Sequence, residues 1–292
     1  MSSLPTTEEF IELSSKVRNL LIEERKRVDV GGYEAHGSLA KIKDSAKRIV
    51  VIGDIHGDYE SLTKIISGTD LKEAIVVFLG DYVDRGSEAP RVVYEIFNIK
   101  LKSPHSVILL MGNHEGPQEL PVYPHDFPWH LSRLYGTSWR EIYESIMGCL
   151  RNLYACALLE GSLFMVHGGV PTQPVTIKSL VNAHQNMSLL EELLWNDPMT
   201  INGIGASPRG AGYLFGPDVT EKFLKSLGVR IVIRGHEPCD EGYMVLHNGR
   251  LITIFSRKGS PYFNKQAAYL DIRDPSNVED AYQLAKECIR KI

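Results

Sequence analysis

Five short apolar runs along the chain each end beside a glycine and a residue of the Asp, Asn or His type. The first is RIVVI at residues 48–52, and the others are IVVFL, SVILLM, LFMV and IVI. Short β-branched runs bounded by glycine predict buried strands. The segments DYESLTKIIS and APRVVYEIFNIK, which separate the first three runs, have the apolar spacing of helices. Strands that alternate with helices predict a partly parallel sheet and therefore an α/β fold.

The two ends of the chain have different patterns. Apolar residues at helical spacing between residues 7 and 26 predict an N-terminal helix, and DVGGYEAHGS predicts a loop after it, so we expect residues 1–46 to pack on the core. Near the C-terminus, YMVLHNGRLITIF predicts a hairpin that turns at Asn248 and Gly249, and AAYLDI predicts a further strand. A second, more antiparallel sheet is expected there, with His247 at the surface.

The segments that end the five predicted strands are GDIHGD, GDYVDRG, GNHE, HGG and RGHE. An isolated Asp or His at a strand end is usually a turn former or a hydrogen-bonded core residue. Turn chemistry alone does not require metal-binding side chains after five separate strands. Together the carboxylates, amide and imidazoles can hold two metal ions side by side, and such a site activates water against a phosphate. The pattern therefore predicts a dinuclear metal site where the strands end.

These segments resemble those of the phosphoprotein phosphatase family, the metal-dependent serine/threonine phosphatases that include types 1 and 2A and calcineurin. The resemblance covers about residues 50–270. LLWNDP at residues 193–198 and PRGAGYLFG at residues 208–216 resemble segments particular to the protein phosphatases and absent from more distant metallophosphoesterases. The length of 292 residues and the hydrophobic content of 43% predict one catalytic domain of residues 1–292. The resemblance implies its fold, an α/β metallophosphoesterase sandwich of mixed sheets flanked by helices, with the metal site at the carboxyl ends of the strands.

The resemblance also implies that one carboxylate, that of Asp81, bridges the two metal ions. It assigns the remaining ligands to the same five segments: Asp54 and His56 for the first ion, and Asn113, His167 and His236 for the second. Mixed carboxylate, amide and imidazole ligands without thiolate suit manganese, iron or zinc better than a magnesium-only site. We expect two divalent ions, with manganese as the first choice and iron or zinc as alternatives.

His114 is the expected general acid, because the leaving serine alkoxide needs a proton. The resemblance pairs it with Asp84, which would orient its ring and keep it protonated; the alternative is that Asp84 only caps its own loop. Arg85 and Arg209 match the phosphate-clamping arginines of the family, since a planar guanidinium can grip two phosphoryl oxygens. Otherwise, an arginine beside a glycine in a loop is usually just solvated.

Two further residues are expected to contact the substrate. Asn113 would do so beside its metal ion. Tyr262, in SRKGSPYFN, stands where the family has an active-site tyrosine, although the residues around it differ from the family pattern.

One stretch departs from the family. After GNHE the chain reads GPQELPVYPHDFPWH, where type 1 and 2A enzymes have a cysteine and a short polar helix start. The prolines at residues 116–130 predict a stiff loop that borders the cleft. Tyr123, His125, Trp129 and His130 are candidate substrate contacts, and the alternative is a packed surface loop with buried aromatic residues.

Composition narrows the classes of partner. The net charge of −4 and a pI of about 6.2, with no basic run beyond EERKR, argue against binding to DNA or RNA. No apolar stretch approaches the roughly 20 residues of a membrane span, so no membrane association is expected. Four cysteines without a CxxC pair or a secretory leader favour the cytoplasm.

The leading functional prediction is hydrolysis of phosphoserine and phosphothreonine monoesters in proteins by direct attack of a metal-bridging hydroxide. Some phosphotyrosine activity is expected if the proline-rich loop widens the cleft. The partners would be phosphoprotein substrates and regulatory subunits. Two alternatives remain, a dinucleoside polyphosphate hydrolase of the same superfamily and a binding module that captures phosphoproteins without turnover.

Overall fold

The computed structural model describes residues 4–292. Its helices are α1 (Thr7–Arg27), α2 (Tyr59–Ser67), α3 (Ala89–Lys102), α4 (Phe127–Tyr135), α5 (Trp139–Leu150), α6 (Ile177–Val181), α7 (Met187–Trp195), α8 (Pro217–Leu227) and α9 (Ala281–Gln283). Its strands are β1 (Tyr33–His36), β2 (Leu39–Ile42), β3 (Arg48–Ile52), β4 (Ile75–Phe78), β5 (Val107–Leu109), β6 (Cys156–Leu159), β7 (Leu163–Val166), β8 (Asp197–Pro198), β9 (Ile204–Ala206), β10 (Tyr213–Phe215), β11 (Ile231–Arg234), β12 (Tyr243–Leu246), β13 (Leu251–Ile254), β14 (Ala268–Arg273) and β15 (Ile289–Lys291).

The first sheet has the strand order β15-β14-β3-β4-β5 in the described chain. Strands β3, β4 and β5 run parallel, with Ile52 opposite Phe78 and Phe78 opposite Leu109. Both faces of these strands are covered, which explains why their sequences are continuous apolar runs rather than alternating ones. Because the strands are parallel and in register, their carboxyl ends lie together at one rim.

The second sheet has the order β1-β2-β6-β7-β11-β13-β12 within residues 4–292 and mixes parallel with antiparallel pairs. Strands β7 and β11 are parallel neighbours, so they too end side by side. A parallel bridge between Asp54 and Phe255 joins the end of β3 to the residue after β13. The rims of the two sheets therefore meet, and all five predicted strands deliver their end segments to one place.

Helices cover the outer faces of both sheets. The N-terminal helix α1 begins with a capping box, in which the Thr6 hydroxyl accepts from the Glu9 N–H and the Glu9 carboxylate accepts from the Thr6 N–H. Its residues Phe10, Val17 and Leu21 are fully buried where α1 packs against α3 and α5. On the other sheet, α8 packs on β7 through Phe223 and Phe164, whose ring centroids lie 4.8 Å apart. The predicted α/β fold of mixed sheets flanked by helices is confirmed. Along the described residues, no helix is both long and apolar enough to cross a membrane.

Three local predictions were wrong, and each failed through contacts that are distant in the sequence. The segment predicted as a loop after α1 contains β1, which pairs with β2. The strand AAYLDI, now β14, pairs with β3 in the first sheet instead of extending the hairpin of β12 and β13. His247 is buried at the hairpin turn, where its Nδ1 lies 2.7 Å from the Thr220 hydroxyl and its Nε2 donates to the Met199 carbonyl.

Candidate metal centre and phosphate cleft

The six residues predicted to hold metal lie together at the joint rim of the two sheets. The Asp81 carboxylate is central, with one oxygen 3.1 Å from His56 Nε2 and the other 3.5 Å from His167 Nε2. Around His167 Nε2, the Asn113 amide oxygen lies at 3.0 Å and His236 Nδ1 at 3.1 Å. Asp54 completes the group on the other side, 3.9 Å from His56 Nε2. Two clusters of donor atoms thus share Asp81.

Unusual backbone conformations aim these side chains into the rim. His56, Asp81 and His236 have positive φ angles of 42°, 56° and 69°. Left-handed backbone at residues other than glycine is uncommon and concentrates at functional sites. Gly80, at φ 108°, is required beside them, since a Cβ there would lie 2.3 Å from the Gly112 nitrogen.

Hydrogen bonds behind two of the imidazoles show that this site suits cations. His56 Nδ1 donates to the Val83 carbonyl at 2.8 Å, and His167 Nδ1 donates to the Leu79 carbonyl at 3.1 Å. A carbonyl only accepts, so in the neutral rings each Nε2 is left with a lone pair. Those lone pairs face the Asp81 carboxylate, and this repulsion is relieved by a cation between them. Carbonyl partners behind ligating histidines are also the usual arrangement at metal sites.

Two histidines of the cluster, His167 and His236, favour the form without a bound proton. Burial lowers the pKa of His167 to about 4, and burial also lowers the pKa of His236 well below its usual value. Burial opposes ionisation of Asp81, and the positive charge that His167, His114 and His56 carry when protonated lowers its pKa well below the usual range. Burial and the charge of Asp81 raise the pKa of Asp54 well above its usual value. A bound cation would supply the positive charge that both carboxylates need while the imidazoles stay neutral. Neutral imidazoles beside an ionised carboxylate form the donor set that transition-metal ions require.

The amide of Asn113 is consistent with this donor set. Its oxygen faces only acceptors, namely His167 Nε2 and His236 Nδ1 at 3.1 Å or less, with the Asp81 carboxylate beyond them. Turning the amide over would let its N–H groups donate to the same atoms. The amide can present either its oxygen or its N–H groups to these atoms, and a cation bound between them would select the oxygen. The residues present fit two divalent ions.

His114 lies beside this cluster and is held by Asp84. Its Nδ1 is 2.6 Å from Asp84 Oδ2, and its own N–H donates to Asp81 Oδ1 at 3.1 Å. Burial opposes ionisation of Asp84, but its hydrogen bonds to His114 and His125 prevail and lower the pKa of the Asp84 carboxyl. Asp84 thus contacts the ring of His114 with one oxygen and accepts the N–H of Phe127 with the other. Ring atoms of His114 also lie within 4.8 Å of ligand atoms of His56 and Asp81.

An open cleft of about 530 Å³ lies in front of these groups. The predicted substrate contacts Arg85, Asn113, Arg209 and Tyr262 all line it. The Tyr262 ring stacks on the His56 ring, with centroids 5.8 Å apart and planes inclined by 28°. The structure therefore brings both arginines, the tyrosine and the metal cluster to the same opening.

Arg209 is positioned by a buried network that the sequence analysis missed. Its Nε lies 2.5 Å from Asp197 Oδ2, and the other oxygen of Asp197 accepts from the fully buried Arg234 at 2.9 Å. Arg209 lies in the hairpin between β9 and β10, and Asp197 lies on the neighbouring strand β8. Asp197 belongs to LLWNDP, one of the segments that carry the family resemblance, so a signal for it was present in the sequence.

Glu115, the last residue of GNHE, is a second residue that the sequence analysis missed. It is fully buried, and its carboxylate accepts N–H groups from Asp81, Tyr82 and Val83 at 2.7 to 3.2 Å and from Gly112 at 3.0 Å. Glu115 therefore holds the Asp81 loop against the end of β5. The sequence could have indicated this role, because Glu115 is a charged residue directly after Asn113 and His114.

The proline-rich loop borders the cleft with only part of its length. Pro121, Val122 and Tyr123 line the opening, and Tyr123 is 93% exposed. The other three candidate contacts lie elsewhere: His125 turns inward to Asp84, Trp129 stacks under Arg133, and His130 is buried. The predicted loop is also shorter than expected, because α4 begins at Phe127 with a proline in its first turn.

Comparison with known proteins places the chain among phosphoesterases. A family described as calcineurin-like phosphoesterase matches residues 47–240. A probable serine/threonine-protein phosphatase of Encephalitozoon cuniculi (strain GB-M1) is 35% identical over 218 residues, which cover 73% of this chain and 47% of the relative. Serine/threonine-protein phosphatase 5 of Arabidopsis thaliana is 34% identical over 218 residues, which cover 72% of this chain and 40% of the relative. The chain thus spans less than half the length of these two relatives.

A solved structure shares the fold. It is a protein serine/threonine phosphatase from Saccharomyces cerevisiae with similarity to human phosphatase PP5, and it aligns with a TM-score of 0.78 at 24% identity, covering 92% of this chain and 83% of that one. The family match includes every residue predicted here to hold metal, from Asp54 to His236. The resemblance inferred from the five segments is confirmed at the level of the family: this chain belongs to the calcineurin-like phosphoesterases.

Proposed function

We propose that this protein hydrolyses phosphoserine and phosphothreonine monoesters in phosphoproteins, using two divalent metal ions. The observation that carries the proposal is the sharing of Asp81 by two donor clusters, beside the His114–Asp84 pair and in one cleft with two arginines. The relatives from Encephalitozoon cuniculi and Arabidopsis thaliana, both named serine/threonine-protein phosphatases, support the same class of substrate.

The metal ions would be held by two sets of residues that meet at Asp81. The first set comprises Asp54, His56 and Asp81, and the second comprises Asp81, Asn113, His167 and His236. When bound, the ions would supply Lewis acidity to a water molecule and to the phosphate oxygens. We propose manganese, because the mixed oxygen and nitrogen donors suit it, with iron or zinc as alternatives.

The remaining residues of the cleft would bind the phosphate and move a proton. His114 has its Nδ1 hydrogen directed at Asp84. When the ring is doubly protonated, its Nε2 hydrogen would pass to the leaving alkoxide, and the neutral ring that remains would keep its Nδ1 hydrogen on Asp84. Arg85 and Arg209 would bind phosphoryl oxygens, and Asp197 would keep the guanidinium of Arg209 in place. Asn113 and Tyr262 would contact the same group from the metal side.

Phosphotyrosine is proposed as a further substrate. Pro121, Val122 and Tyr123 form a largely apolar wall in the same cleft as Arg85, on the side where the loop departs from the family sequence. A flat aromatic ring could pack on this wall while its phosphate reaches the metal cluster.

We propose a reducing cellular compartment for the enzyme. The four cysteines are free and buried, which agrees with a reducing compartment, and we propose the cytoplasm. We also propose that the chain acts as one catalytic domain on phosphoprotein substrates, with regulatory subunits and without nucleic acid or membrane.

The proposal is tested by assaying the metal-loaded protein on phosphoserine, phosphothreonine and phosphotyrosine peptides and on a dinucleoside polyphosphate. We expect turnover of the first two peptides, weaker turnover of the third, and none of the dinucleotide. Hydrolysis of the dinucleotide alone would identify a different phosphoesterase. Tight peptide binding without release of phosphate would identify a binding module.

Replacing Arg209 by alanine should mainly raise KM, with some loss in kcat, since a phosphate clamp acts in both the ground state and the transition state. A hydrogen bond to a charged group contributes about 1.5–3 kcal/mol, which corresponds to roughly a tenfold to hundredfold loss in kcat/KM. Steady-state kinetics on a phosphoserine peptide measures the change. Arg250→Ala, at an exposed arginine before β13, is the matched control, and an unchanged KM for Arg209→Ala would show that Arg209 does not bind the phosphate.

A further inference from the structure

We propose that His125 is a positioning residue for the proton donor, acting on His114 through the carboxylate of Asp84. The inference rests on the proposed function, in which His114 protonates the leaving group. His125 lies in the segment after GNHE that departs from the family sequence. It was expected to contact substrate, but its ring points away from the cleft and toward the back of Asp84.

The first observation is that two imidazoles share one carboxylate oxygen. Asp84 Oδ2 lies 2.6 Å from His114 Nδ1 and 2.8 Å from His125 Nδ1. Its other oxygen accepts the N–H of Phe127 at 2.7 Å. An ionised carboxylate can only accept, so both rings carry a hydrogen at Nδ1. Asp84 is fully buried, and these three donors determine the direction of its carboxylate plane.

The second observation is that the backbone at Asp84 and Arg85 has an unfavourable conformation, which contacts from another segment stabilise. Asp84 and Arg85 are consecutive residues with left-handed φ angles of 62° and 66°, a conformation that L-residues rarely adopt without support. Residues 123–127 supply that support. Besides the contacts to Asp84, the Asp126 carboxylate accepts the N–H of Arg85 at 3.0 Å, and the Tyr123 carbonyl lies 3.5 Å from the Arg85 guanidinium.

The third observation is that His125 is itself anchored from behind. Its Nε2 lies 2.9 Å from the hydroxyl of Tyr143 on α5. Burial and the charge of Asp84 raise the pKa of Tyr143, so the phenol keeps its proton. In the tautomer of His125 that carries its hydrogen at Nδ1, Nε2 accepts the hydrogen bond from this phenol. An unbroken chain of hydrogen bonds therefore runs from helix α5 through His125 and Asp84 to His114.

The series of hydrogen bonds from α5 to His114 predicts that loss of His125 affects two kinds of substrate differently. If His125 positions the proton donor, replacing His125 should lower kcat most on substrates whose leaving group must be protonated. A phosphoserine peptide expels an alkoxide and depends on the donor, whereas p-nitrophenyl phosphate expels a stable phenolate and does not. A residue that only stabilises the fold would affect both substrates equally.

The test compares His125→Ala, His125→Asn and Tyr143→Phe on these two substrates. A misplacement of about 1 Å at a reacting group can cost about a hundredfold, so we expect His125→Ala to lower kcat on the peptide by about tenfold to a hundredfold with little change in KM. The kcat on p-nitrophenyl phosphate should change much less. Asparagine can place an amide N–H where Nδ1 lies, so His125→Asn should recover most of the loss, and Tyr143→Phe should show a smaller loss of the same kind.

Two matched controls exist in the chain. His36 on β1 also pairs with a carboxylate, that of Glu34 at 3.0 Å, with similar exposure, and it does not line the cleft. Tyr135 is a half-buried tyrosine whose hydroxyl has no hydrogen-bond partner among residues 4–292. His36→Ala and Tyr135→Phe should leave both activities unchanged. Equal losses on both substrates for His125→Ala, or no loss, would overturn the inference. If His114→Asn itself showed no dependence on the leaving group, the proposed role of His114 would fail instead, so the two failures are distinguishable.

Discussion

Asp81→Asn should leave a folded protein that neither loads metal nor turns over substrate. Asparagine keeps the oxygen that accepts the N–H of His114 and tolerates the left-handed φ of 56° at this position. The substitution removes the one charge that both donor clusters share. Because loss of a single transition-state donor already costs about 10²–10³-fold, loss of both ions should reduce turnover to background.

This prediction is checked by measuring metal content after dialysis, thermal unfolding and phosphopeptide turnover on the same preparation. Asp240→Asn is the matched control, since Asp240 is a surface aspartate that is 72% exposed and pairs with the exposed Lys265. We expect it to behave as wild type in all three measurements. An Asp81→Asn protein with near-wild-type turnover would contradict the proposed shared ligand, and with it the mechanism.

His114→Asn should retain metal and lose most of its activity on phosphopeptides. The imidazole is placed by Asp84 to release a proton from Nε2, and asparagine has no proton to give at neutral pH. General acid catalysis contributes about 10²–10⁴-fold, so kcat should fall by that factor. A ring nitrogen of His114 also lies within 4.8 Å of the ligand atoms of His56 and Asp81, so His114 could instead be a metal ligand. This variant distinguishes the two roles of His114.

Metal content and kcat are measured together for this variant, with His36→Asn as the control. Loss of metal along with activity would make His114 a ligand. Retained metal with near-wild-type kcat would show that His114 is not the general acid. Retained metal with a large loss on phosphopeptides is the result that the geometry around Asp84 supports.

The sequence was most informative where structure is local. RIVVI and LFMV coincide with β3 and β7 at both ends, and IVVFL and SVILLM lie within one or two residues of β4 and β5. A strand buried on both faces must be apolar throughout, so its signal is contained in its own residues. The helix predicted from residue 7 is confirmed for the same reason, because its buried stripe recurs at helical spacing.

The sequence was least informative about pairing. Nothing in AAYLDI distinguishes a neighbour of β13 from a neighbour of β3, because both strands offer the same backbone hydrogen bonds. His247 similarly became buried because α8 brings Thr220 against the hairpin turn. Such choices depend on which surfaces remain unfilled once the rest of the chain has packed.

The sequence by itself determined the family of this protein and the identity of the side chains that could hold metal and phosphate, because chemistry needs particular residue types and these stand at the ends of recognisable strands. Only the tertiary structure decided how they are supported. Asp197 and Arg234 hold Arg209, and His125 turned from the expected substrate contact into a partner of Asp84. These supports join residues 12 to 41 positions apart, and hydrogen bonds across such separations leave no periodic trace in a sequence.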